Sequence, residues 1–79
     1  MNEQRDDRVR EVVAETFDLN RGEIDPDASA QTLAAWTSLA HLRLMANIEQ
    51  AFGLRLTMDE MTTMTNIPAI VQVLAVRDV

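Results

Sequence analysis

Between Ser38 and Phe52 the chain repeats apolar residues at a helical interval, and no other stretch constrains the fold as strongly. At about 100° per residue, Leu42, Leu44, Met45, Ile48 and Phe52 share one arc while Arg43, Asn47 and Gln50 share the other, which predicts an amphipathic helix laid on a core. Gly53 follows as the left-handed residue that stops it. A helix with one buried arc needs other elements to cover it, and the sequence supplies three.

Arg5 to Phe17 reads as the first, because Val9, Val12, Val13, Thr16 and Phe17 recur at i, i+3, i+4, i+7 and i+8. Asp6 and Arg10, one turn apart on its outer face, predict a supporting ion pair. Thr57-Met58-Asp59-Glu60 fits a capping box and opens a short third helix through about Met64. Thr65 or Asn66 caps a last helix, where Pro68 is tolerated because first-turn amides lack intrahelical partners; Ile67, Ile70, Val71 and Leu74 form its buried stripe. The expected architecture is all-α: a small four-helix bundle with a short third helix and a long loop between helices one and two, in a single domain over residues 1–79.

That loop, Asp18 to Thr37, carries Asn20, Gly22, Asp25-Pro26-Asp27 and Ser29, turn formers and breakers that predict irregular structure. A span of about 20 such residues is long for a small domain, so it needs buried anchors. Leu19, Ile24, Leu33 and Trp36 are the candidates. Asp25, Asp27 and Ser29 resemble the start of a calcium loop, but the required glycine is missing and the twelfth position is Trp36, so no metal site is assigned.

Composition narrows the function classes. A domain this size hides only about 60% of its unfolded surface and offers no deep catalytic pocket. There is no cysteine, hence no disulfide or thiolate metal site. Thirteen acidic residues against seven basic ones, all arginine, give a formal charge of −6; without an arginine cluster, such a surface argues against nucleic acid. Glu11, Glu15, Glu23 and Asp59 read as a solvated face. Met1 to Arg10 is polar and charged, with no apolar run long enough for a signal peptide or a membrane span. A soluble, cytoplasmic monomer is expected.

Ser38 is the residue with chemical promise. It stands where the loop gives way to the second helix, held by its backbone and open to a second enzyme. The residues around it carry a resemblance. The Glu23-Ile24-Asp25-Pro26-Asp27-Ala28-Ser29 loop, Leu33, Trp36-Thr37-Ser38-Leu39, Leu42 and the Ile48-Glu49-Gln50-Ala51-Phe52-Gly53-Leu54 segment, in this order and spacing, resemble an acyl carrier protein. Trp36-x-Ser38-Leu39-x-His41 is similar to the branch in which tryptophan precedes an Asp-Ser-Leu motif. The resemblance implies 4′-phosphopantetheine attached covalently at Ser38, a thioester-linked cargo (polyketide, fatty acyl or aminoacyl), a phosphopantetheinyl transferase, and enzymes that load and process the cargo. It also implies an interior that shelters an acyl chain, with Leu42, Met45, Ile48, Met61 and Met64 as lining candidates. A phosphodiester on Ser38 would stand at the positive end of the second helix, facing free amides.

Thr37, Leu39, Ala40, Arg43 and Asn47 are the expected partner-docking residues, with Met58 and Met61 as adaptable contacts; Met45 and Met64 are expected to fill the core. Trp36 is expected to pack the loop down. Two positions depart from the family pattern. Thr37 replaces the usual aspartate before the serine, and Ala40, Arg43 and Asn47 stand where carriers of fatty acid synthesis tend to be acidic. The first keeps open a second reading, an unmodified helical interaction module; the second favours a specialised pathway. A Ser38–His41 hydrolytic dyad is the third reading, but neither a third group nor an oxyanion hole is evident, so no catalytic residue is assigned. His41 falls among the apolar residues of its helix and is expected to bond loop backbone near the mouth of the core.

Overall fold

A computed structural model describes residues 3–79; of the polar segment Met1 to Arg10, Met1 and Asn2 lie outside the described residues. The order is α1 (Glu3–Phe17), a 3₁₀ turn (Arg21–Glu23), α2 (Ser38–Phe52), α3 (Met58–Thr63) and α4 (Ile67–Val76). α1 buries Val9, Val12, Val13, Ala14 and Phe17. α2 answers with Leu44, Met45 and Ile48, and α4 with Ile67, Ile70 and Leu74. Three amphipathic helices thus close one core, and Met64, at the end of α3, completes it. Burial of these branched and aromatic side chains, each contributing about 1.5–3 kcal/mol, is what holds so small a domain together.

Helix ends follow from local chemistry. Gly53 has φ 65° and its amide bonds the Glu49 carbonyl, the left-handed stop expected of it. α1 ends the same way on a non-glycine residue: Asp18 has φ 58°, and the Leu19 amide reaches back to the Ala14 carbonyl at 2.9 Å. The capping box of α3 is complete, with the Glu60 amide on Thr57 Oγ1 at 3.1 Å and the Thr57 amide on Glu60 Oε1 at 2.8 Å. Of the two candidate caps for α4, Asn66 serves: its Oδ1 accepts from the Ala69 amide at 2.7 Å.

Three expectations need correction. The long loop is not wholly irregular, since it contains the 3₁₀ turn and one antiparallel bridge, Ser29 to Asn66. The bridge forms because Ile24 and Ala28 are buried and bring the loop backbone against the α3–α4 link, where the Ala30 amide bonds the Thr65 carbonyl and the Ile67 amide bonds the Ala28 carbonyl. Leu42 is 63% exposed rather than part of the core arc. It stands two residues from Leu44, roughly 200° round the helix, so both cannot face inward. Third, the Asp6–Arg10 pair does not form among the described residues: Arg10 turns to the Ile24 carbonyl, and Arg8 on that helix pairs with Glu11.

Two tertiary ties matter for the site. Asn47 of α2 donates to Thr16 Oγ1 of α1 at 2.8 Å. Arg77, past α4, grips Glu60 with Nε and Nη2 and also reaches the Arg55 carbonyl. The paired hydrogen bonds from Arg77, reinforced by the Thr57 amide, hold the Glu60 carboxyl down to about 2, and the same bonds push Arg77 up.

Candidate functional site

The first turn of α2 divides its work between two neighbouring hydroxyls. Thr37 is the cap: with φ −85° and ψ 174°, its Oγ1 accepts from the Ala40 amide at 3.2 Å, while its carbonyl takes the His41 amide at 2.8 Å. Ser38 is therefore the first helical residue, with a fixed backbone and no capping duty. It is exposed, and its hydroxyl makes no hydrogen bond among the described residues. The Ser38 and Leu39 amides also have no partner among the described residues, and the first turn holds no acidic side chain. A free hydroxyl beside free amides at an uncompensated positive helix end suits an ester of an anionic phosphate.

Beside it opens a cleft of about 240 Å³ bordered by Ala30, Trp36, Thr37, Ser38, His41 and Thr65. A larger groove of about 680 Å³ runs between α1 and α4 past Arg10, Pro26 and Val71 and does not include Ser38. The smaller cleft is the one that Ser38 borders.

Trp36 is 4% exposed and packs on Phe17 with ring centroids 5.4 Å apart, so it pins the loop as expected. Its indole Nε1 donates to His41 Nδ1 at 3.0 Å, and His41 Nε2 lies 2.8 Å from the Met61 carbonyl. Both ring nitrogens are thus engaged. No lone pair remains to deprotonate Ser38, which removes the geometric basis of a Ser38–His41 dyad.

Residues 7–74 match the sequence profile of the PP-binding family, described as the phosphopantetheine attachment site. The chain belongs to this family. Its members carry covalently attached 4′-phosphopantetheine, and the chain has a phosphopantetheine-carrier role. Carrier domains of the family interact with transferases and biosynthetic enzymes. No curated protein matches the sequence. No helix among the described residues is long and apolar enough to cross a membrane.

The docking candidates differ in exposure. Leu39 and Met58 are 69% and 77% exposed, and Arg43 is exposed as well. Thr37 is exposed but occupied as the cap, and Asn47 is exposed but tied to Thr16. Ala40 and Met61 are half-buried against the core. Among the lining candidates, Met45, Ile48 and Met64 are buried, Met61 is partly so, and Leu42 lies outside. The hydrogen bond from Trp36 to His41 went unread in the sequence. Its signal was there, since His41 lies on the inward arc one helical turn after the cap, five residues from the only indole.

Proposed function

We propose that the chain forms a non-catalytic carrier domain whose Ser38 receives the 4′-phosphopantetheine arm. A phosphopantetheinyl transferase moves the arm from coenzyme A: the Ser38 Oγ–phosphorus bond forms, the pyrophosphate bond breaks, and adenosine 3′,5′-bisphosphate leaves with the serine proton passed to solvent. The observation that carries this reading is the division of labour at the helix start, where Thr37 caps and Ser38 keeps a free, exposed hydroxyl. The unpaired Ser38 and Leu39 amides would face the phosphodiester, and the arm's thiol supplies the thioester that bears the cargo.

Partners that load, modify or release the cargo dock on the outer surface of α2 and the start of α3. Leu39, Arg43 and Met58 are the available contacts there, with Thr37, Ala40, Asn47 and Met61 at their margin. Between Ser38 and Phe52 the acidic side chain is Glu49, whose Oε2 is taken by the Leu56 amide at 2.8 Å. A basic docking patch therefore finds little charge on α2, which favours a specialised pathway for a polyketide, fatty-acyl or aminoacyl cargo over bulk fatty acid synthesis.

Incubation with coenzyme A and a broad-specificity transferase should add the mass of one phosphopantetheine, and Ser38→Ala should abolish the addition. No addition by any transferase tried, one from the native host included, would overturn the proposal. Thr37 supports a second reading, a carrier-like interaction module that is never modified, because no carboxylate stands beside the serine. Partner binding that survives Ser38→Ala, in a chain purified unmodified from its host, would favour that reading.

A further inference from the structure

Among the described residues one buried side-chain nitrogen or oxygen goes without a hydrogen bond, and it is Nε of Arg10. Buried donors are nearly always satisfied, so an orphan on a guanidinium is a cost that the fold by itself does not recover. The rest of that guanidinium is loosely held. Its Nη2 reaches the Ile24 carbonyl at 3.3 Å, longer than usual for such a bond. Asp6, one turn back on α1, neither pairs with it nor forms another ion pair or hydrogen bond among the described residues.

Both charges border the groove of about 680 Å³ between α1 and α4. From α4 the lining is Ile67, Val71 and Ala75, at i, i+4 and i+8, with Pro26 of the loop and Pro68 beside them. Three apolar residues spaced one turn apart make a track about 12 Å long. The track is thus two helical turns in length, and the opposite charges beside it are set one turn apart instead of converging on a point. We infer that the groove takes an amphipathic helix of a partner protein, its apolar ridge laid along Ile67, Val71 and Ala75 and its flank carrying an acid for Arg10 and a base for Asp6, one turn apart. The partner carboxylate gives the guanidinium the acceptor it lacks, side-on across Nε and Nη2 once the long contact to Ile24 loosens. A helix bearing two acids is rejected, because one of them faces Asp6 in a chain of formal charge −6. A small anion would engage Arg10 and leave both the track and Asp6 unused. The groove does not include Ser38, so the contact holds the carrier without occupying the serine, whether or not the arm is attached.

The probe is a synthetic helix of about four turns, with leucines one turn apart along one face and a Glu and a Lys one turn apart beside them. Added to the isotope-labelled chain, it should shift amides of α1 and α4 and saturate below about 1 mM. Replacing the peptide's Glu by Gln should weaken binding about five- to tenfold, the effect of one charged hydrogen bond. Arg10→Gln should weaken the parent peptide equally and make the chain indifferent to that replacement. Asp6→Asn should do the same for the peptide's Lys, at about two- to threefold. No saturable shift below about 1 mM, shifts confined to other elements, or equal binding of the Glu and Gln peptides overturns the inference. So does self-association of the chain that Arg10→Gln abolishes, which would assign the groove to a second copy. Should a variant not fold, the peptide replacements against the native chain decide.

Discussion

Removing the Thr37 hydroxyl should cost stability and removing the Ser38 hydroxyl should not, although the two are adjacent. The Thr37 oxygen satisfies the Ala40 amide at 3.2 Å, an amide with no intrahelical carbonyl to bond. Thr37→Ala leaves that donor to water and gives up a cap worth about 1 kcal/mol. For a domain whose whole stability is roughly 4–12 kcal/mol, at about 0.05–0.15 kcal/mol per residue, this is a visible fraction. It corresponds to about 4–8 °C in Tm. Ser38→Ala removes an exposed oxygen without partners and stays within about 0.5 kcal/mol of the parent. Urea unfolding of the three chains, followed by circular dichroism and by Trp36 emission, measures both differences. Equal losses in the two variants would refute the assignment, because they would mean that the Ser38 hydroxyl is engaged in the fold. The contrast also protects the functional test: abolished modification in Ser38→Ala then reports a missing nucleophile, not a damaged helix.

Thr37→Asp should retain the cap and add a carboxylate at the positive end of α2, gaining about 0.3–1 kcal/mol at low salt; loss of this gain in high salt confirms its origin, and a higher modification rate is the expected functional result. Leu44→Ala should cost about 2–5 kcal/mol, whereas Leu42→Ala should stay within about 0.5 kcal/mol, and chemical denaturation separates them. Glu60, lowered from 4.5 to about 2 by its bonds to Arg77 and Thr57, stabilises the fold fully above pH 4.5 and loses that contribution as pH falls through about 2; Arg77→Ala should return its carboxyl resonance toward ordinary titration. Gly53→Ala should cost about 1–2 kcal/mol, wholly from the left-handed backbone, since a Cβ there meets nothing within 4 Å.

The bounds of α2 were legible because its periodicity and Gly53 agree. The capping box of α3 and the proline near the start of α4 were equally plain, being encoded by residues three or four apart. What the chain concealed depends on contacts between distant segments. The bridge from Ser29 to Asn66 and the inward turn of Arg10 each need a partner from elsewhere in the fold, and the stop of α1 at Asp18 is local but falls on a residue other than glycine. Leu42 is apolar yet stands roughly 200° round the helix from buried Leu44, so its hydrophobicity points inward where its angle points out. At the site, Ser38 stood out by position, but that Thr37 takes the cap is a matter of φ, ψ and an amide direction.

The bridge between the loop and the α3–α4 link has a topological consequence. Ala28 and Ala30 are stitched to Ile67 and Thr65 on one side, and Trp36 is wedged against Phe17 on the other. Between these fastenings Gln31 to Ala35 is exposed apart from half-buried Leu33. A protease cut in that interval would leave both new ends tied to the body of the molecule, and the two fragments would remain one particle. The chain is thus closed into a loop of contacts before α2 begins, and its continuity there is dispensable to its shape.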